Sequence, residues 1–145
     1  MKTINVVVLS GEKEKVSQLI DKCSQLLIES DVAIETSFVV SSEGLNESIK
    51  TDCVVLSPEA SGSVSGVRKL TFAQDNSGAD IAAINVQKRE HGYSFEILYG
   101  SSMGRVFIPD GCEYTREQVL VAVAVICAAD IPMEKILRNI NGLFK

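Results

Sequence analysis

A helix that is apolar on every face persists in water only when other elements cover it completely, and this chain carries the pattern for one. Thr115-x-x-Gln118 is a capping box, and it opens onto residues 119–129, VLVAVAVICAA, without a charge or a break. The β-branched content of that run alone would allow a strand, and the box tips it to helix. The run is too short to span a bilayer, which takes about 20 apolar residues. Layers must therefore close over it. Pro132 suits the first turn of a second helix, whose inner face is Met133, Ile136, Leu137, Ile140, Leu143 and Phe144.

The rest of the chain supplies those layers. Residues 3–9 form a near-continuous β-branched run, as expected of a strand buried on both faces of a parallel sheet. Ser10-Gly11 breaks it, and a helix is predicted to about Glu29. Val16, Leu19, Ile20, Cys23, Leu26 and Leu27 share one face of that helix, opposite Lys13, Lys15, Asp21 and Lys22. Residues 33–40 and 52–56 read as strands, separated by a polar turn at 41–48. Together these make a parallel start with right-handed connections. Residues 57–66, SPEASGSVSG, read as a flexible loop, followed by a strand at 69–73 and a tight turn at Asp75-Asn76-Ser77-Gly78. Residues 79–88 and 93–99 pair as a hairpin around Glu90-His91-Gly92, and Ser101-Ser102-Met103-Gly104 turns into a strand at 105–108. With connections this short, the sheet is expected to become antiparallel here. The fold class is α/β: one layered domain over residues 1–145, with a mixed sheet, a parallel β-α-β N-terminal part, antiparallel hairpin strands and two C-terminal helices.

Composition bounds the function. A length of 145 residues, nearly half of them apolar, buries a real core. The net charge of -5 with no basic stripe argues against a nucleic-acid binder. Arg68-Lys69 is expected on a solvated strand end. The start of the chain has one lysine and no small-residue cleavage site, so it reads as a strand and not as a leader peptide, and a cytoplasmic protein with no membrane partner is expected. Cys23, Cys53 and Cys127 fall on predicted buried faces, where cysteine acts as a small hydrophobe. Cys112 lies in a loop, with no base or cation beside it in sequence to activate it.

Residues 71–144 resemble the last third of the central domain of the Mur ligases, ATP-dependent enzymes that join amino acids to the peptidoglycan precursor. The resemblance rests on order and spacing: Thr71-Phe72-Ala73, Ala79-Asp80-Ile81, Gly92-Tyr93-Ser94-Phe95, the Ala/Val helix, Asp130-Ile131-Pro132-Met133-Glu134 and Ile140-Asn141-Gly142-Leu143-Phe144. Asp130 and Ala73 stand where that family has glycine. Thr115 to Gln118 replaces a helix start that often holds His-Asn. The resemblance implies a Mur-ligase-like central domain, degenerate and truncated, in peptidoglycan biosynthesis.

The residues that would carry ligation are another matter. The Ser10-Gly11 junction is where a phosphate would bind in a nucleotide fold, at a helix N-terminus. It has one glycine, and Glu12 and Glu14 fill the first turn, so a plain helix start is the better reading. The P-loop pattern Gly-x4-Gly-Lys-Ser/Thr is absent from the chain. Ser61-Gly62-Ser63-Val64-Ser65-Gly66 is Gly/Ser-rich but lacks the following lysine and hydroxyl. Glu59-Ala60-Ser61 faintly resembles the family's magnesium-holding stretch, yet one carboxylate makes a poor Mg²⁺ site. His91 sits in a turn without a second ligand. Asp75, Asn76 and Asp80 are turn formers first, and Tyr93, Phe95 and Tyr99 alternate on one strand face as core. No catalytic or metal residue, and no cofactor, is therefore assigned. The reading is a non-catalytic binding or regulatory domain, with a protein partner or a second copy. The alternative is part of a split or vestigial ligase that still binds nucleotide or UDP-sugar, in a cleft lined by Glu59, Arg68 or Asp75.

Overall fold

The computed structural model describes residues 1–40, 51–64, 66–75 and 78–144. The turn expected at 41–48, and Ser65, Asn76 and Ser77, lie outside the described residues. The chain runs β1 (Lys2–Leu9), α1 (Lys13–Lys22), α2 (Ser24–Glu29), β2 (Val32–Val39), β3 (Cys53–Leu56), a 3-10 turn (Pro58–Ser63), β4 (Arg68–Gln74), β5 (Ile81–Arg89), β6 (Gly92–Tyr99), β7 (Ser102–Pro109), α3 (Arg116–Cys127) and α4 (Met133–Leu143). Seven strands form one mixed sheet in the order β2-β1-β3-β4-β5-β6-β7.

Two apolar clusters hold the layers. The large one joins all four helices to one face of the sheet, with Ile4, Val6 and Val8 of β1 and Phe95 and Ile97 of β6. The small one, on the other face, packs Val7, Val54 and Leu56 against Val64. β1 is thus buried on both sides, as its β-branched run requires. At the centre is α3, whose residues 119–126 are wholly buried. Its capping box is complete: Gln118 N–H donates to Thr115 Oγ1 at 3.2 Å, and Thr115 N–H donates to Gln118 Oε1 at 2.9 Å.

Four expectations need correction. The sheet does not turn antiparallel at β5. β4 and β5 pair parallel, Phe72 against Ile81 through Gln74 against Ala83, and only β6 and β7 run antiparallel. A short connection suffices because the chain doubles back on its own side chains. The Asp80 carboxylate accepts from Thr71 N–H at 2.9 Å and from Thr71 Oγ1 at 3.1 Å, while Asp80 N–H donates to Thr71 Oγ1 at 2.9 Å. Second, the first helix breaks at Cys23, whose φ of -95° and ψ of 11° leave the helical region. Third, residues 58–63 are a 3-10 turn and not an open loop. Fourth, Leu143 leaves the inner face of α4 and is 38% exposed.

Candidate functional site

In the order β2-β1-β3 the chain leaves β1 towards either side, so the carboxyl ends of β1 and β3 flank the topological switch point. Open α/β sheets bind ligands in the crevice outside that point. Here Ser10, Gly11 and Glu12 lead from β1 into α1. Ser10 Oγ accepts from Glu12 N–H at 3.1 Å. The N-terminus of α3 packs against α1, and Gln118 Nε2 donates to Glu12 Oε2 at 2.7 Å. Gln118 is buried, and its two ends are both used: one closes the capping box and the other holds the carboxylate. Two helix N-termini, each a partial positive charge, meet at this place, and the chain's own anions attend them. Glu14 lies in the first turn of α1 and Glu117 in that of α3.

Beyond the carboxyl end of β4, Arg116 ties α3 to the sheet. Its Nε donates to Gln74 Oε1 at 2.6 Å, and its two terminal nitrogens reach the Asp75 carboxylate, each at 3.4 Å. Burial pushes the Tyr93 phenol up, against the pull of this guanidinium. Asp75 holds a left-handed φ of 58°, a turn conformation that aspartate tolerates.

Arg68 and Lys69 open β4, Arg68 exposed and Lys69 partly buried, and both have bonding partners there. Arg68 Nη1 donates to the Ala128 carbonyl at 3.0 Å and Nη2 to Asp130 Oδ1 at 3.2 Å, closing the C-terminus of α3 with a cation. Lys69 Nζ donates to the carbonyls of Ser61 and Val64, both at 3.0 Å, pinning the Gly/Ser-rich segment to β4. Those carbonyls face a cation, so this stretch of backbone is arranged as an acceptor. Arg68 and Asp75 lie at opposite ends of β4, roughly 20 Å apart at strand rise, and cannot line one cleft. The exposed Glu59 sits in the 3-10 turn beyond β3. Clefts of about 520 Å³ between α2 and α4, and about 480 Å³ between β7 and α4, lie elsewhere and include none of the three.

His91 is exposed in the β5–β6 turn, 3.8 Å from the Glu90 carboxylate. Among the described residues no three His, Cys, Asp or Glu side chains are grouped to hold a metal ion. Cys23, Cys53 and Cys127 are buried and Cys112 is partly exposed. Sequence reasoning missed the Glu12–Gln118 bond, Arg116 and the role of Arg68. A polar residue inside an apolar helix was the one available signal, and Gln118 was read for its cap alone.

No family model matches this chain, and no curated protein matches it in sequence. Solved structures do match in fold. The UDP-N-acetylmuramoylalanyl-D-glutamyl-2,6-diaminopimelate--D-alanyl-D-alanyl ligase of Acinetobacter baumannii superposes with a TM-score of 0.63 at 14% identity, over 97% of this chain and 46% of that one. A UDP-N-acetylmuramoyl-L-alanyl-D-glutamate--2,6-diaminopimelate ligase gives 0.65 at 12% identity, over 98% and 46%. Folylpolyglutamate synthetase of Lactobacillus casei gives 0.54 at 10% identity, over 96% and 61%. The fold is therefore that of the Mur ligases, and the chain spans about half the length of the two muramoyl ligases.

Proposed function

We propose that this chain is a non-catalytic binding or regulatory module on a Mur-ligase-like fold, performing no ATP-dependent ligation by itself. One observation carries the reading: at the switch point, where the fold would receive a phosphate, the chain holds the Glu12 carboxylate in place with Gln118 at 2.7 Å. Phosphoryl transfer runs on positioned cations and backbone donors. An incoming phosphate would meet Glu12, with Glu14 and Glu117 nearby in the first turns of the two helices. The Gly/Ser-rich segment offers no better cradle, since its carbonyls are turned to Lys69. A cytoplasmic location belongs to the same proposal. No helix among the described residues is long and apolar enough to cross a membrane.

Calorimetric titration of the purified protein tests this, with ATP–Mg²⁺ and, separately, with the UDP-muramyl peptide class named in the neighbours. The expected outcome is no binding heat with ATP–Mg²⁺ and no ADP released on longer incubation. ATP binding that survives Glu12→Ala would overturn the assignment of this end of the sheet. Turnover, alone or with a second chain carrying a P-loop, would establish a split or vestigial ligase instead, a reading that the half-length match to muramoyl ligases motivates.

A further inference from the structure

The sheet ends in two edges, β7 and β2, and the chain treats them differently. On β7 the outward Phe107 N–H donates to Asn141 Oδ1 at 3.1 Å, and the Arg105 carbonyl accepts from Asn141 Nδ2 at 2.9 Å. One side-chain amide stands where the peptide group of a further strand would. α4 lies along this edge, so close that a Cβ on Gly104 would collide with Leu137. Among the described residues β2 has no such cover. Natural edge strands usually carry a lysine, a proline or a bulge that repels a stranger. Val32–Val39, VAIETSFV, has no lysine, proline or bulge, its one charge is Glu35, and its register against β1 is unbroken over all 8 residues.

The direction of its free groups follows from the ladder with β1. Lys2 N–H donates to the Asp31 carbonyl and Ser10 N–H to the Val39 carbonyl. Odd-numbered residues therefore face β1, and Val32, Ile34, Thr36 and Phe38 turn their N–H and C=O groups outward. Among the described residues, no strand pairs with them.

We propose that β2 pairs antiparallel with β2 of a second copy of this chain, across a two-fold axis at Thr36, joining two sheets into one. The side chains choose this occupant. With Thr36 opposite Thr36, Ile34 faces Phe38, Val32 faces Val40, and Glu35 faces Ser37. The strand's one charge thus meets a hydroxyl, whereas an axis at Glu35 would set two carboxylates against each other. Such self-complementarity is what an isologous interface requires. Val40, 87% exposed, lies just past β2, and Ile28, 60% exposed, is on α2, the helix that packs on β2. This interface stands whether or not the chain binds nucleotide.

Light scattering on a sizing column tests it, together with amide exchange at several protein concentrations. The wild type is expected at twice its chain mass of 15.7 kDa when concentrated, falling to the single mass on dilution. Exchange at Ile34, Thr36 and Phe38 should slow as the dimer forms. Thr36→Pro removes an outward donor and spares the β1 ladder. Ser37→Glu, at an exposed position, sets a new carboxylate against the partner's Glu35. Both variants should run as monomers with unchanged far-UV circular dichroism, and Met103→Glu on the β7 edge should remain a dimer. A wild type that stays monomeric, or a dimer that persists in Ser37→Glu with those amides still exchanging fast, overturns the proposal.

Discussion

A methyl group on Gly92 has nowhere to go. Its Cβ would collide with the Ile108 carbonyl oxygen and stand 2.8 Å from Pro109 Cα, with φ at +154°. Both obstacles are backbone of the neighbouring strand, so neither can swing aside. The glycine that opens Gly92-Tyr93-Ser94-Phe95 is thus a packing requirement. Gly92→Ala should destabilise by an amount at the upper end of roughly 1–3 kcal/mol, read as a lower urea midpoint, and an unchanged midpoint would refute the clash. Asp130 shows the converse, a residue standing where the resembled family has glycine. Its φ of 61° explains a glycine there, and the ion pair to Arg68 accompanies its replacement. Cys127 makes a pH argument. Burial pushes its thiol up from 9.0 to about 12, against the pull of Arg68. Between those values the unfolded chain has lost a proton that the folded chain still holds, so stability falls as pH rises. Below pH 9.0, the ordinary value of the thiol, the contribution is fully present. The urea midpoint should drop on going above that value and drop less steeply in Cys127→Ala. A midpoint equally steep in both would place the cause elsewhere.

The elements differ in how openly the chain spells them. α3 was legible because a local signal, the capping box, precedes an uncharged run too long for most strands. Its test is equally local: Thr115→Ala removes the acceptor for Gln118 N–H and should cost about 1 kcal/mol in a denaturant titration. No loss would mean that burial alone fixes the helix start. The β5–β6 hairpin was legible from its turn residues and alternation. The parallel step from β4 to β5 was not, because it depends on where the Asp80 carboxylate lands, and a turn-forming residue type does not reveal which backbone group it will bind. Nor did periodicity mark the shift in register between Ile84 and Gln87, where Asn85 takes a φ of 55°. The candidate site divides the same way. Ser10-Gly11 could be read as a plain helix start from Glu12 and Glu14 alone. That Gln118 would hold Glu12 could not, since the two are joined only by the packing of α1 against α3.

The whole molecule is a parallel half and an antiparallel half joined by a narrow seam. Among the described residues the β4–β5 ladder is short, Phe72–Gln74 against Ile81–Ala83, and is extended by the Asp75 N–H bond to the Ala83 carbonyl at 2.8 Å and by the Thr71–Asp80 bonds. The halves are also coupled by α3, which packs on α1 and β3 in the first half and on β5 and α4 in the second. Its buried run belongs to one continuous apolar cluster with both. Opening either half would strip apolar cover from the same helix, at roughly 25 cal/mol per Å² exposed, so the halves should not melt separately. The chain offers a clean way to ask. It has no tryptophan, and its three tyrosines, Tyr93, Tyr99 and Tyr114, all lie beyond the seam. Tyr114 donates to Gln18 Oε1 on α1 at 3.3 Å, so it is the Tyr114→Phe variant whose fluorescence, from Tyr93 and Tyr99 on β6, weights the second half, while far-UV circular dichroism also sees α1 and α2 in the first. The two probes should trace one coincident transition. Asp80→Ala, which removes the carboxylate that accepts from Thr71 N–H and from the Thr71 hydroxyl at the seam, should lower both midpoints together. Transitions that separate, with or without Asp80→Ala, would mean that α3 does not bind the halves into one cooperative unit.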